Sequence, residues 1–472
     1  MHFTIQVVIT NEQGSETLEE VIQLEKNVAD NNTVGLTLSD SKQILKVLQA
    51  KIVLEQAKNR VELQKTCLCC KRKRWLKDYH SVQFRTLFGT VNIPSPRFLH
   101  CQCDSASEKT FSPINQWLFD KNSPELQYIE TKWASLMSYQ YTAKLLKEIL
   151  PIEPTQNAST VRNHLQKVAR RKEKELEDKP EYITGCPAEW EKLPKPGKPI
   201  IVGIDGGYLT GWHQKNKKFE IIAGKSFSET QPSKRFGFVQ TLDDHPRKRL
   251  MYNLTRQGMQ ANQQIIFLSD GADHIRDLQY RMYPESEHIL DWFHITMRLT
   301  VLNQFTKGLL HSDPKPGKEV QKNLESIKWY LWHGNVKEAL SYIEDCSCVF
   351  LDEDLKYPNR KKMASHLDEL QTYIENNRYL IPNYGEKWRC KEAIATGFVE
   401  STVNEVVAKR MVKKQQMQWT AKGAHYLLQT RVAVLNNELS EDFSRWYPGF
   451  HINNDGKPDA EKAEVLKMSK VA

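Results

Sequence analysis

The spacing of apolar residues changes along this chain, and each change predicts a new element. Met1 to Thr10 (MHFTIQVVIT) alternates apolar with polar, the period of a strand. Ser39-Asp40-Ser41 then offers helix caps, and Ile44, Leu45, Val47, Leu48, Ile52, Val53, Leu54, Val61 and Leu63 follow with helical spacing. Residues 67–112 carry clustered cysteines and hairpin-like segments at Val82–Leu87, Gly89–Ile93 and Arg97–Leu99. Residues 113–176 return to helical spacing, and 177–199, rich in proline and charge, read as a linker.

Beyond residue 199, apolar runs predict strands at Pro199–Ile204, Phe219–Ala223 and Phe236–Leu242, a helix at Arg247–Gln257, and strands at Gln264–Leu268 and His288–Leu290. Between His294 and Glu400 strand signals nearly vanish, leaving about a hundred largely helical residues. Residues 438–472 read as a polar tail.

Composition narrows the class. A chain of 472 residues is too long for one ordinary core, and 39% apolar with 26% charged residues describes a globular protein. No run of about eighteen apolar residues is present, so no membrane span is expected. Nor does the N-terminus have the basic stretch of a secretory signal, so the expected location is the cytoplasm. The net charge of +9 is modest, but it is concentrated at Lys71-Arg72-Lys73-Arg74, Arg170-Arg171-Lys172 and Lys409–Lys414. Each cluster alone reads as solvated surface; together they point to a polyphosphate partner.

The chemistry centres on four acids. Asp205, Asp270 and Asp291 each follow an apolar, strand-like run, and Glu400 lies in a helix-like stretch leading into the basic segment. Carboxylates gathered at one place repel one another unless a divalent cation neutralises them. Magnesium (or manganese) suits such an oxygen-only site. Two ions about 3.5–4 Å apart would clamp a phosphodiester, one at the attacking and one at the leaving oxygen. The bland reading, in which each Asp caps the helix after it, stays open for any one acid. Asp273, Asp277, Glu392 and Glu405 are rivals that spacing does not remove. Gly206-Gly207, after Asp205, is expected to let the chain turn sharply.

Three successive strands, a helix, then strands each followed by a helix is the element order of a ribonuclease-H-like α/β fold. The expected organisation is therefore multidomain. An N-terminal β/helical region (1–66) precedes a zinc-ribbon-like module (67–112), a helix-turn-helix-like DNA-binding region (113–176) and the linker (177–199). The catalytic core (200–294 and 391–437) is then split by an all-helical insertion (295–390).

Nine cysteines in a cytoplasmic-looking chain suggest thiols or metal. Cys67 and Cys70 form a CxxC pair, and Cys101 and Cys103 a CxC pair, which together suit a structural zinc ion; Cys69 and His100 leave the ligand set open. Cys186, Cys346, Cys348 and Cys390 read as plain thiols. Residues 142–150 and 158–165 flank a proline-containing turn, as in a helix-turn-helix. The second helix, capped by Ser159, would offer Thr160, Arg162, Asn163 and Lys167 to a groove; an ordinary helical hairpin fits equally. Lys409, Arg410, Lys413 and Lys414 would track the DNA backbone. Trp329-Tyr330-Leu331-Trp332 reads as core, or as a platform for an unpaired base.

In Asp291-Trp292-Phe293-His294 the acid and the imidazole are three apart, close enough to share one face of a first helical turn. This string, with Gly203-Ile204-Asp205-Gly206-Gly207, Leu268-Ser269-Asp270-Gly271-Ala272, Gly397-Phe398-Val399-Glu400-Ser401, Lys409-Arg410-Met411, Trp419 and Gly423-Ala424, resembles bacterial insertion-sequence transposases of the DDE class. The likeness is nearest the branch related to Mutator-like elements, which carries Asp-x-x-His between its second Asp and its Glu. It implies Asp205, Asp270 and Glu400 as the metal-binding triad, with Asp291 and His294 accessory. It also implies cutting at transposon ends and joining of the 3′-hydroxyl to target DNA. The partners would be double-stranded DNA (terminal inverted repeats and target) and a second copy of the chain, with no membrane. A nuclease or resolvase that only hydrolyses DNA, and a transposase-derived DNA-binding protein, are the alternatives.

Overall fold

The alternating N-terminus forms a hairpin: β1 (His2–Thr10) pairs antiparallel with β2 (Glu16–Glu25), and its apolar face packs on Ile44, Val47 and Leu48 of α1 (Leu38–Gln64). The computed structural model describes residues 1–10, 14–26, 34–104, 109–118, 120–153, 155–180, 186–194, 196–212, 217–228, 231–352, 354–395, 401–412 and 418–452. Helix α1 starts one residue before the Ser39-Asp40-Ser41 caps that the sequence suggested. Thr37 and Asp40 make a reciprocal capping box, which satisfies donors at both ends of the first turn.

The chain is mixed α/β and divides into two compact units, Met1–Val168 with Asn437–Ala472, and Ala169–Asn436. In the first unit, β3 (Leu76–Thr86), β4 (Gly89–Leu99) and β5 (Thr110–Phe111) form an antiparallel sheet. Val82, Val91 and Ile93 of this sheet bury against Val53 and Ala57 of α1 and Ile114 of α2 (Pro113–Trp117). Helices α3 (Pro124–Leu136), α4 (Tyr139–Ile149) and the start of α5 (Ala158–Glu177) follow, with a buried His164–Glu130 pair joining α3 to α5.

Residues 439–450 are no loose tail. Leu439–Trp446 is a helix, and Phe443 and Phe450 pack on Tyr128 with ring centroids 5.4 and 5.3 Å away. Their apolar surface is worth more buried than hydrated, on the order of 2 kcal/mol per ring.

The second unit is built on a five-stranded sheet. It contains β6 (Ile200–Thr210), β7 (Lys218–Phe227), β8 (Lys234–Val239), β9 (Ile265–Ser269) and β10 (Glu287–Leu290), in spatial order β10-β9-β6-β7-β8. Strands β6, β7 and β8 run antiparallel in succession, while β9 and β10 are parallel to β6. The first strand is thus central. Its apolar run is continuous because both faces are covered.

On one face Val202, Ile204, Ile222, Phe236 and Phe267 pack on α7 (Pro246–Arg256) and α8 (Asp273–Met282). On the other, Ile201, Ile266 and Leu268 join a core that continues through α9 (Trp292–Ser312), α10 (Pro314–Trp332), α11 (Val336–Leu351) and α12 (Arg360–Asn376). Residues 295–390 contain no strand among the described residues, as the periodicity predicted. The described ends of the proline-rich stretch before the sheet are held down. Lys248 Nζ reaches the carbonyls of Glu177 and Lys179, and Gln263 reaches those of Gly197 and Lys198. No described helix is long and apolar enough to cross a membrane.

Candidate functional site

Strand register brings three of the four acids to one level. In the β6–β9 pair Gly203 lies opposite Leu268, and in the β9–β10 pair Leu290 lies opposite Ser269. Two residues past the first match stand Asp205 and Asp270; one residue past the second stands Asp291, again level with Asp270. Three aspartates therefore lie level on three adjacent parallel strands, two just past the carboxyl ends of β9 and β10 and one midway along β6.

Asp205 itself corrects an expectation. It does not end its strand, and Gly206-Gly207 make no turn, because pairing with β7 (Asp205 opposite Ala223) carries β6 on to Thr210. Gly206 leaves room for the Glu220 carboxylate, while Gly207 has ordinary contacts. A Cβ on Gly206 would lie 2.7 Å from Glu220 Oε1, and one on Gly207 would lie 3.6 Å from Val403 Cγ1.

Asp270 is held from several sides. Its Oδ1 accepts from Ala272 N (3.0 Å) and its carbonyl from Tyr373 Oη (2.8 Å). Gly271 has φ +76°, and a Cβ there would meet Asn377 Oδ1 at 2.3 Å and Leu290 Cδ1 at 2.5 Å, so only glycine fits this turn. Ser269 Oγ takes the Gly271 N–H (3.2 Å) and pairs with His288 Nε2 (3.1 Å). Burial, and secondarily Arg276, push the His288 ring down to about 4, so at neutral pH it is uncharged. The rival Asp273 is exposed in the first turn of α8 and paired with Arg276.

Asp291 does two tasks. Its Oδ1 caps α9 by accepting from Phe293 N (2.9 Å), and its Oδ2 holds His294 Nδ1 (2.9 Å). The side chain is fully buried. Burial opposes charge on His294, but the Asp291 carboxylate outweighs it, with smaller help from Asp270 and Asp205, so the imidazole is shifted upward. That influence also marks the first two acids as neighbours of the ring.

Glu400 lies outside the described residues. Three residues later Val403 faces Gly207, and 401–403 run straight into a π-helix, Asn404–Val412. Its two rivals are committed elsewhere: Glu405 to Arg235 (2.8 Å) and Glu392 to Lys387 (3.0 Å).

The cysteines converge by a different route. After an isolated bridge between Thr66 and Lys73, Cys67 N donates to the Arg72 carbonyl (2.9 Å) and Lys71 N to the Cys67 carbonyl (3.0 Å), with Lys71 at φ +57°. This tight knuckle faces Cys101 and Cys103. The ligand atoms of Cys67, Cys70, Cys101 and Cys103 all lie within 4.8 Å of one another. A thiolate tetrahedron around zinc, with Zn–S about 2.3 Å, has edges of about 3.8 Å, so the donor set fits a structural zinc ion. Asp104 braces the second knuckle. It pairs with Arg74 and accepts from Cys101 N (3.0 Å) and His100 Nδ1 (3.0 Å), while Arg74 lies 4.9 Å over the Phe111 ring. Cys69 and Cys103 are exposed; hydrogen bonding of the Cys103 thiol to Cys70, Cys101 and Cys69 pushes its pKa up. Cys346 is buried, its thiol pushed up to about 12 by desolvation, as for a packed thiol. Among the described residues the sheet-edge aspartates form no group as tight as the cysteines.

The DNA-contact candidates divide. Arg162 and Asn163 are exposed on α5, Thr160 is half-buried against Asn157 (3.0 Å from its N), and Lys167 is paired with Asp120. The cap is Asn157, not Ser159, since its Oδ1 accepts from both Ser159 N (2.9 Å) and Thr160 N. Lys409 is exposed. Arg410 is a correction: it is fully buried, with its guanidinium 5.5 Å from the Trp419 ring centroid, so it cannot track a DNA backbone from there. Lys413 and Lys414 lie outside the described residues. The tryptophan cluster splits too. Leu331 is wholly buried and Trp332 stacks with Tyr384, whereas Trp329 is half-exposed beside a groove of about 420 Å³.

Neither any known protein-family model nor any curated protein matches the chain, so the chemistry rests on its residues. Sequence reading missed Tyr373, His288 and the Glu220–His274 pair (2.8 Å), because their partners are set by the folded sheet. For His288 alone a signal existed: its place on the strand leading to Asp291.

Proposed function

We propose that the chain is a DNA transposase with a ribonuclease-H-like catalytic domain, whose helices α9 to α12 form the insertion. One observation carries the reading: Asp205 on β6 lies level with Asp270 and Asp291, which directly follow the carboxyl ends of β9 and β10. The sheet order, with the first strand central and two antiparallel strands on one side, is the one such a domain requires.

Asp205 and Asp270, with Glu400, are the proposed ligands for magnesium, which when bound would acidify an attacking hydroxyl and neutralise charge on the phosphate. Asp291 orients His294, whose ring lies within the influence of both other aspartates and can hold a proton near the scissile phosphate. Water attacks phosphorus, the P–O3′ bond at the transposon end breaks, and a 3′-hydroxyl leaves. That hydroxyl then attacks a target phosphodiester, forming one P–O bond as another breaks. No energy-rich cofactor is needed. The cysteine cluster would be a structural zinc ribbon, and Arg162, Asn163 and Lys409 are candidate DNA contacts.

The test is a magnesium-dependent assay on labelled duplexes carrying the inverted repeats that bracket the gene. Joined products support the transposase; nicks alone favour a nuclease or resolvase; binding without cleavage favours a derived DNA-binding protein. Asp205→Ala is expected to abolish joining while leaving binding intact.

A further inference from the structure

The carboxylate edge is negative, and so is a DNA backbone. Magnesium offsets part of that repulsion, but the strand must also be held in place by the chain's own cations. Arg276, near the edge, is committed to Asp273 and to the carbonyl of Asn376 (2.9 Å). Arg298 is different. It follows His294 by four residues on α9, so it lies on the same helix face, about 6 Å further along the axis. Its side chain is exposed, and among the described residues it forms no ion pair. The guanidinium stacks 4.2 Å over the ring of Tyr373, whose hydroxyl donates to the carbonyl of Asp270 (2.8 Å).

Tyr373 therefore joins the cation to the second acid. The ring and hydroxyl of Tyr373 both engage the guanidinium, yet its five N–H donors leave several for a second partner. An exposed arginine anchored on a ring, with donors to spare, suits a phosphate, whose oxygens accept N–H bonds.

We propose that Arg298, held in plane by Tyr373, binds a backbone phosphate of the DNA strand adjacent to the bond that is cut. This rests on the DNA phosphoryl-transfer reading. Tyr373 is a positioning residue.

The test uses the full chain and the same labelled duplex. Binding is measured in calcium across a salt series, and cleavage in magnesium. Arg298→Ala should weaken binding about tenfold and lower the slope of log affinity against log salt by about 1, with thermal melting unchanged. Arg298→Lys should restore the salt slope but not the full cleavage rate, because an ammonium cannot stack and fork together. Tyr373→Phe, which keeps the ring, should retain the slope. An unchanged slope and cleavage rate in Arg298→Ala, with an active wild type, overturns this proposal alone. If the wild type neither binds nor cuts the duplex, the functional reading falls and this proposal with it.

Discussion

The cysteine cluster and the carboxylate edge are both candidate metal sites, yet they are assembled by opposite means. Four sulfurs meet within 4.8 Å because two tight knuckles, each a few residues long, flank the open end of one hairpin. The aspartates come from three strands and reach one level only through the register of the whole sheet. A local device gives a closed, rigid donor set, as a structural ion needs. A long-range one leaves its carboxylates spread along an edge, where a substrate and ions have room. The contrast teaches that spacing in sequence can reveal the first kind of site, while the second needs the fold.

The contrast can be broken from either side, and the largest effect is expected at the cysteines. Cys67→Ser, or chelation of the intact chain, should release one equivalent of zinc and melt the β3–β5 sheet. Zinc content and amide exchange would report this, and a variant that kept both would remove the zinc ribbon. At the acidic edge a smaller loss is expected from Gly271→Ala. Its Cβ would have to displace Asn377 or Leu290 at positive φ, costing on the order of 2 kcal/mol in urea unfolding. A neutral result would show that the Asp270 turn is looser than its contacts imply.

An effect of similar size, spread over a pH range, is expected at His288. His288 has a folded-state pKa of about 4 against 6.5, so the unfolded chain binds the proton more readily. Its stabilising contribution is present above pH 6.5 and is lost as pH falls toward 4, by roughly 3 kcal/mol in all. Wild type minus His288→Gln should show that slope; a flat difference would count against a neutral His288 supporting Ser269.

Much of the second unit was legible, because strands buried on both faces read as unbroken apolar runs, as in Ile200–Ile204 and Ile265–Leu268. Strand ends were less so. Nothing in Asp205-Gly206-Gly207 tells that pairing with β7 continues, since glycines fit a turn or a close approach equally. Arg410 sits in a run of basic residues that reads as surface, yet the fold takes it fully inside, beside Trp419. The polar C-terminal stretch hid Phe443 and Phe450, whose partner Tyr128 lies some three hundred residues away in the chain. Arg298 was visible as a helical neighbour of His294, but Tyr373, which gives it a role, was not.

The central claim is that register selects Asp270, and not the nearby Asp273, as a carboxylate of the cutting site. Magnesium-dependent joining of the labelled duplex by Asp270→Ala and by Asp273→Ala tests it directly. The expected result is complete loss in the first and activity close to wild type in the second, with equal DNA binding. Joining by Asp270→Ala would contradict the account.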